Sequence, residues 1–222
     1  MIEQLRQLIT LDANINISDI EERFEQIAKM LFNCFAIQKG NTIYLFKEIE
    51  FYFYNKNHRD IITHPRVSKP LYWYVNDFGG IDLNFESKIK YENRLNSKGK
   101  NVKKYVLDDS AYFGGILIRQ LISEDDGEVL NGPLACAELF RNYEAIGCSM
   151  NKDLPILVEH DNGRAGDILP KHRVNLLSSK QNEVGKVNNI LYQYHDNIQP
   201  SKESLCQEFL NFKDKLYGYE NR

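Results

Sequence analysis

The sequence predicts an α+β protein: a single domain with a largely antiparallel, curved β-sheet surrounded by helices. Strand-like segments rich in Ile, Tyr and Phe are concentrated in the first half of the 222-residue chain, and helical patterns flank them. Strands that are grouped, rather than alternating with helices, favour this class. No repeat or Pro/Gly-rich linker divides the sequence. The length therefore suits one large domain over residues 1–222.

Residues 1–40 are predicted to be a helical region. Ser18 and Glu21 have the spacing of a capping box, in which side chains satisfy free backbone amides of the first turn. Gly40 ends this helix. Before it, apolar residues recur at helical spacing and give one buried face. They are Ile20, Phe24, Ile27, Leu31 and Phe35.

Residues 41–177 are predicted to contain the sheet core and the site. Strands are expected over 42–54, 71–76, 81–85 and 111–121, with a further strand over 173–177 in an otherwise loop-rich region. Pro133 suits the first turn of a helix, whose apolar face would contain Leu134, Ala137 and Phe140. Residues 178–222 are expected to form C-terminal helices near 183–195 and 201–217.

Composition limits the range of functions. The net charge is −3, from 28 basic and 31 acidic residues. Phosphate contacts supply most of the affinity for duplex DNA, so this balance argues against strong DNA binding unless a local basic patch provides it. No apolar run approaches the roughly 20 residues of a membrane helix, and the N-terminus is too polar for a signal peptide. We expect a cytoplasmic protein with no membrane partner.

The four cysteines are not expected to bind a metal or form disulfides. Cys34, Cys136, Cys148 and Cys206 lie far apart, without a Cys-x-x-Cys pair or a histidine at metal spacing. This arrangement is typical of reduced, buried thiols.

Two glutamates and a tyrosine share one face of the first long strand. Side chains alternate along a strand, so Glu48, Glu50 and Tyr52 point the same way. The surrounding segment is strongly apolar, and carboxylates are seldom buried without a partner or a task. Either this face meets solvent at a sheet edge or it lines a cavity.

Other polar and aromatic residues have both structural and functional interpretations. His58, Asp60 and His64 lie in a polar segment, where solvated histidines are commoner than a metal site. Tyr72 and Tyr74 share one strand face, which is either core or a stacking surface.

Polar residues at two strand ends and one run of basic residues are further candidates for a functional role. Asn84 and Arg119 each end an apolar strand, where a polar group meets water or points into a site. Residues 88–104 form either a solvated loop or a phosphate-binding patch. The basic residues of this run are Lys88, Lys90, Arg94, Lys98, Lys100, Lys103 and Lys104.

Taken in order, these segments resemble the alkyladenine (methylpurine) DNA glycosylase family over about residues 44–176. Glu48-Ile49-Glu50-Phe51-Tyr52 is similar to the family's Glu-x-Glu-x-Tyr strand. The segments 63–66 (Thr-His-Pro-Arg), 71–84 and 115–119 are similar to three further family segments in the same order. The spacing from the glutamates to the histidine is a few residues longer here.

The resemblance implies a hydrolytic site without a cofactor. Glu50 would activate the attacking water, and Arg119 would hold that water. The extruded base would stack between Tyr52 and Tyr74. His64 would form a wall of this pocket. At its edge, the resemblance places Asn84, which would exclude normal guanine.

The family also inserts a tyrosine into the duplex, three residues after the stacking tyrosine. This sequence has Asp77 there, and Phe78 beside it is the candidate apolar wedge. The expected partner is damaged DNA, bound by a monomer that removes alkylated purines. The candidate phosphate contacts are Lys98, Lys100, Lys103 and Lys104. Two alternatives remain: hydrolysis of nucleosides, single strands or RNA, and a catalytically silent nucleic-acid-binding module.

Overall fold

The structure is a computed structural model that describes residues 1–76, 79–96, 98–141, 154–163, 166–174 and 202–222. Four helices lie in these ranges: α1 (Ile2–Ile9), α2 (Ile17–Cys34), α3 (Pro133–Arg141) and α4 (Lys202–Lys213). Eleven strands accompany them: β1 (Phe35–Lys39), β2 (Thr42–Tyr54), β3 (Trp73–Val75), β4 (Ile81–Asn84), β5 (Lys90–Leu95), β6 (Asn101–Val106), β7 (Phe113–Ser123), β8 (Val129–Asn131), β9 (Ile156–Glu159), β10 (Ile168–Lys171) and β11 (Gly218–Asn221).

Nine of the strands form one curled antiparallel sheet, as the α+β prediction requires. Its main order is β10-β11-β2-β7-β4-β3, with β1 beside the first part of β2, β9 beside β1, and β8 beside β7. The remaining two strands, β5 and β6, form a separate ribbon. β2 is central because it pairs with β1, β7 and β11.

One face of the sheet packs against α1 and α2. Phe51 of β2 stacks on Phe24 of α2, with ring centroids 4.5 Å apart, and Phe85 lies 6.0 Å from the same ring. The alternate residues Ile49 and Ile116 are also fully buried on this face. Burial of these apolar side chains provides the main driving force for folding. The opposite face of β2 is left for Glu48, Glu50 and Tyr52.

The predicted strand 42–54 is confirmed over its whole length, and the predicted start of α3 at Pro133 is confirmed as well. The apolar face of α3 was partly wrong, since Leu134 is 56% exposed whereas Cys136 and Leu139 are buried. The strands predicted over 71–76 and 81–85 are present but shorter, and the strand predicted over 111–121 is shifted by two residues.

The N-terminal prediction was wrong in two details. The N-cap of α2 is Asn16, whose side chain accepts a 3.0 Å hydrogen bond from the Asp19 amide. Ser18 lies inside the helix, and its hydroxyl donates to Asn16 instead. The helix ends at Cys34, and residues 35–39 form β1 because they pair with both β2 and β9. Tertiary pairing overrides the helical periodicity there.

The C-terminal and basic segments also differ from expectation. The described part of 173–177, residues 173 and 174, contains no strand, whereas β10 lies just before it. Residues 218–221 form a strand rather than a helix. The helix predicted near 183–195 lies outside the described residues, and α4 falls within the predicted range 201–217. The basic run 88–104 is mostly the β5–β6 ribbon and not a loop.

Close packing between β2 and β7 requires glycine at one point. A Cβ atom on Gly114 would lie 2.2 Å from the carbonyl oxygen of Tyr52, which is backbone and cannot rotate away. On the neighbouring Gly115, a Cβ atom would meet side-chain atoms of Arg66, Asp82 and Asn84 at 3.2–3.3 Å, so these would have to move by only a few tenths of an ångström. An alanine side chain is therefore expected to fit much less well at position 114 than at position 115.

We predict that Gly114→Ala lowers the free energy of unfolding by about 2–3 kcal/mol, the upper part of the range for overpacked sites. Gly115→Ala is the matched control and is expected to cost clearly less. Urea denaturation of both variants provides the measurement. Equal losses would show that the strands separate easily at Gly114.

Candidate active site

The cross-strand register places the predicted site residues on one face of the sheet. Glu50 pairs with Leu117, Leu117 pairs with Asp82, and Asp82 pairs with Tyr74. Directly paired residues of antiparallel strands point to the same side. This row is followed by a second one, two residues further along β2. The second row contains Tyr52, Gly115 and Asn84. Glu50, Tyr52 and Tyr74 therefore share one face of the sheet.

Glu50 is fully buried and held at both carboxylate oxygens. The Val174 amide donates a 2.6 Å hydrogen bond to Oε1, and the Tyr52 hydroxyl donates a 2.7 Å hydrogen bond to Oε2. The Arg119 Nε atom lies 3.5 Å from Oε1. The alternative of a solvated sheet edge is therefore wrong for Glu50. Its orientation is fixed by groups from three separate segments.

Burial is the main influence on the protonation of this pair. It raises the pKa of Glu50 above its ordinary value of 4.5, because the carboxylate is removed from water. Arg119, the Val174 amide and the Tyr52 hydroxyl act in the opposite direction. Burial, followed by the negative charge of Glu50, holds the pKa of Tyr52 well above 10. Tyr52 is therefore a hydrogen-bond donor to Glu50 at neutral pH.

Arg119 links Glu50 to a second acidic residue. Its Nε atom lies 3.5 Å from Glu48 Oε1 as well as from Glu50. Lys171 of β10 completes the group, with its Nζ atom 3.1 Å from Glu48 Oε2. Within the described part of the chain, Arg119 Nε and Glu48 Oε1 are buried but form no hydrogen bond of good geometry. Both atoms keep hydrogen-bonding capacity directly beside Glu50.

A buried ion pair supports the site from the side of Tyr52. Arg173 and Asp60 are both fully buried, with 2.6 Å between Nη1 and Oδ2. The guanidinium also donates to the Phe51 carbonyl and lies 4.8 Å from the centre of the Tyr52 ring. The next residue, Val174, supplies the amide for Glu50. The ion pair therefore fixes the segment that holds the carboxylate.

A second buried guanidinium occupies the Tyr74 side. Arg66 is paired with Asp82 at 2.6 Å and donates a 3.0 Å hydrogen bond to Asn84 Oδ1. Its guanidinium carbon lies 4.3 Å from the centre of the Tyr74 ring. The Asn84 amide donates to the Ser68 hydroxyl at 2.7 Å. Tyr74 and Asn84 are thus close together, as predicted, but they are connected through Arg66.

The histidines have different roles from those the sequence suggested. His58 is fully buried and not in a solvated loop. Its Nδ1–H donates to the Phe53 carbonyl at 2.8 Å, and Nε2 lies 2.9 Å from the Tyr217 hydroxyl. Burial lowers its pKa, and the Asp60 carboxylate partly offsets this. His64 is half-buried, and its carbonyl accepts a 3.2 Å hydrogen bond from Arg66 Nε. His64 therefore lies beside the Tyr74–Asn84 group.

Sequence reasoning did not identify Arg66, Asp82 and Arg173 as site residues, and it considered Asp60 only as part of a possible metal site. One signal was available for Asp82, which lies between Ile81 and Leu83 in an apolar strand whose side-chain alternation puts it beside Asn84. The pairing of Asp60 with Arg173 joins residues 113 positions apart. No local pattern encodes such a contact.

The remaining predicted residues lie in the β5–β6 ribbon or outside the described residues. Asp77 and Phe78 are outside the described residues. The four lysines at positions 98, 100, 103 and 104 belong to the β5–β6 ribbon and its turn.

Cys34 and Cys136 are free thiols. Among the described residues, no group of His, Cys, Asp or Glu is arranged to hold a metal ion. None of the four described helices has the length and apolar character needed to cross a membrane.

The fold and site define an α+β protein whose curled antiparallel sheet carries a buried, ion-paired carboxylate on the face opposite its helical layer. No family model matches the chain. It is similar to an uncharacterized protein of Acanthamoeba polyphaga mimivirus, with 31% identity over 138 residues. The match covers 56% of this chain and 59% of the viral protein, so the chain spans about three fifths of that relative. No solved structure matches.

We predict that Asp60→Asn lowers the free energy of unfolding by about 3–5 kcal/mol, because it leaves the Arg173 charge buried without its partner. The exposed pair of Glu25 and Lys29 is the control. Glu25→Gln is expected to have little effect, since solvent screens that pair. Urea denaturation at pH 7 compares the two. Similar small losses would show that Arg173 is stabilised by other groups.

Proposed function

We propose that this protein is an N-glycosidic hydrolase that removes alkylated purines from DNA, by a monofunctional mechanism in which Glu50 activates water. The observation that carries the proposal is the fully buried Glu50 carboxylate, with its raised pKa, on the sheet face that also contains Tyr52, Tyr74 and Asn84. The sequence resemblance to the alkyladenine DNA glycosylases gives these same residues a role in catalysis or base binding.

Glu50 is suited to act as a general base. A base with a pKa raised towards the working pH accepts a proton more readily than an ordinary carboxylate. Its fixed hydrogen bonds to Val174 and Tyr52 restrict the carboxylate to one orientation. In the proposed reaction, Glu50 takes a proton from a water molecule as that water attacks the anomeric carbon of the sugar. The purine leaves with the electrons of the glycosidic bond.

Arg119 is proposed to orient the attacking water. The Nε atom lies 3.5 Å from Glu50 Oε1, forms no hydrogen bond of good geometry within the described residues, and provides a donor next to the base. A water that accepts from Arg119 and donates to Glu50 is aligned for proton transfer. The positive charge of Arg119 also acts to lower the pKa of Glu50, which favours the ionised form of the base.

The extruded base is proposed to bind between Tyr52 and Tyr74. Removing a base from the stack costs a few kcal/mol, and aromatic stacking recovers about 1–3 kcal/mol per base. Each ring already has a guanidinium against it, from Arg173 or Arg66. The base is therefore expected to use the opposite ring faces. His64 and Asn84 would contact the edge of the base.

Simple hydrolysis is favoured over a Schiff-base mechanism. Lys171, which contacts Glu48 in the candidate site, is engaged by Glu48 at 3.1 Å and by Glu220 at 3.3 Å. An amine acts as a nucleophile only when it is deprotonated and free to attack. The proposed reaction needs no cofactor, since the alkylated base is already a good leaving group.

A second candidate is the same glycosidic hydrolysis on nucleosides, single-stranded DNA or RNA. It is favoured by the acidic residue Asp77 where the resembling family has its intercalating tyrosine. An anion at that position repels phosphate and cannot fill a gap in a base stack. The overall net charge of −3 points the same way. Assays on duplex, single-stranded and nucleoside substrates that contain one alkylated purine separate the two candidates.

We predict that Glu50→Gln reduces base release by about 10²–10⁴-fold, the usual contribution of a general base. Glutamine keeps the shape but cannot accept the proton of the water. The measurement is chromatography of free purine after incubation with alkylated DNA. Glu48→Gln, on the same strand face, is the control and should lose far less. Full activity in Glu50→Gln with loss in Glu48→Gln would assign the base to Glu48.

Folding provides a further check on this variant. The pKa of Glu50 is raised by burial, so ionisation of this group opposes folding. The protonated Glu50 side chain therefore adds stability at acid pH, and this added stability is lost as the pH rises through the folded-state pKa. Glu50→Gln should therefore not lower the free energy of unfolding at pH 7, and lost activity cannot then be attributed to unfolding.

We also predict a pH dependence. Base release should fall as the pH decreases through the pKa of Glu50, with a midpoint above 4.5. Arg119→Gln removes a charge that lowers this pKa, so the midpoint should move to higher pH, in addition to any loss in the maximal rate. Lys171→Gln is the control, because Lys171 contacts Glu48 and not Glu50. An unchanged midpoint in Arg119→Gln would contradict the assignment.

A further inference from the structure

The β5–β6 ribbon is strongly basic, whereas the rest of the protein is acidic. Residues 88–106 contain seven basic residues and one acidic residue, a net charge of +6. The whole chain carries −3, so the remainder carries −9. A strongly basic element on an otherwise acidic protein directs an anionic partner to that element.

The two faces of the ribbon are chemically different. The register pairs Tyr91 with Tyr105 and Asn93 with Lys103, and these residues alternate along the strands with those of the opposite face. One face therefore contains Tyr91, Asn93, Leu95, Asn101, Lys103 and Tyr105, and we call it the aromatic face. The other contains Lys90, Glu92, Arg94, Val102, Lys104 and Val106.

The basic residues of the second face are engaged by carboxylates. Lys90 Nζ lies 2.6 Å from Asp108, and Arg94 Nε lies 3.7 Å from Glu92, which is also the cross-strand partner of Lys104. None of the six residues of the aromatic face is acidic. Among the residues of the two strands, Lys103 therefore offers its positive charge to an external anion on a face without carboxylates.

The aromatic face also provides a stacking surface. Tyr91 is 50% exposed, and the Lys103 ammonium lies 4.4 Å from the centre of its ring. The ammonium and the ring are thus presented together. Tyr105 packs against the apolar cluster at the base of the ribbon and fixes that end. A base that stacks on Tyr91 would have its phosphate within reach of Lys103.

The turn between β5 and β6 carries two more lysines, and hydrogen bonds to Asn96 fix its backbone. Asn96 Oδ1 accepts hydrogen bonds from the amides of Lys98 and Lys100, at 2.9 and 3.0 Å. Both side chains are exposed. The ribbon continues from β4 and leads into β7, the strands that carry Asn84 and Gly115 of the candidate site. A strand bound along the ribbon is therefore directed towards that end of the sheet.

We propose that the aromatic face of the β5–β6 ribbon binds single-stranded nucleic acid, with a base stacked on Tyr91 and phosphates at Lys103 and the turn lysines. Stacking on an exposed ring requires an unpaired base, which favours a single strand over a duplex. The choice of a nucleic-acid partner rests on the proposed function. It refines that function by naming the state of the strand.

The test is fluorescence anisotropy of the full chain with a labelled 20-residue oligothymidylate and a duplex of the same length, over a range of salt concentrations. Tyr91→Ala should weaken binding of the single strand by about 5- to 150-fold, the range expected for one stacked base. Tyr91→Phe should restore it. Lys103→Ala should reduce the salt slope by about 0.7, the value for one phosphate contact on a single strand.

Lys104 was predicted from the sequence as a candidate phosphate contact, but the register places it opposite Glu92 on the other face of the ribbon. Lys104→Ala is therefore the matched control. It should leave both affinity and salt slope nearly unchanged. Wild-type affinity in Tyr91→Ala, equal effects of Lys103→Ala and Lys104→Ala, tighter binding to the duplex, or no binding at all would each overturn the proposal.

These measurements are independent of base release. Loss of base release in Glu50→Gln with normal ribbon variants would leave the proposed function standing and remove the ribbon proposal. Ribbon-dependent binding without release of any base would instead support a nucleic-acid-binding module. Urea denaturation of Tyr91→Ala and Lys103→Ala confirms that both variants are folded.

Discussion

Compensation of buried charge organises the candidate site. Glu50, Asp60 and Asp82 are almost completely removed from water, and an isolated carboxylate in such a place is very costly. Each has a guanidinium nearby: Arg119, Arg173 and Arg66, respectively. These arginines come from a strand and from two separate connecting segments. The charges therefore tie the connections to the sheet, and the face that they cover becomes rigid as well as polar.

The two faces of the sheet have different roles: one packs against the helices, and the other carries the polar site. Aromatic and aliphatic side chains such as Phe51 and Ile116 pack against α1 and α2 and provide most of the stability. The alternate side chains of the same strands are free to carry charge. Because neighbouring residues point in opposite directions, a catalytic group such as Glu50 is held by a backbone that the hydrophobic core already fixes. Precision at the site follows from packing on the other side.

Features of the fold and site that depend on local sequence could be predicted, whereas those that depend on long-range contacts could not. The bounds of β2 and the shared face of Glu50 and Tyr52 follow from local composition and from the two-residue period of strands, and both predictions were confirmed. The N-cap of α2 was misplaced because Asn16 is an equally suitable capping residue two positions earlier, and its side chain accepts from the Asp19 amide. The pair of Asp60 and Arg173 depends on three-dimensional proximity between distant segments. Neither residue type nor spacing reports such proximity.

Strand β11 has a consequence for the order in which the molecule assembles. Gly218 pairs with Glu50, and the Tyr217 carbonyl accepts a hydrogen bond from the Phe51 amide. During translation, more than 160 residues separate the appearance of Glu50 from that of its neighbour Gly218. Until then, this edge of β2 has unpaired backbone groups and can pair with another chain. A chain that has not yet reached residue 217 would therefore lack both the strand beside Glu50 and the rings of Tyr217 and Tyr219, which pack against Phe24 and Phe51.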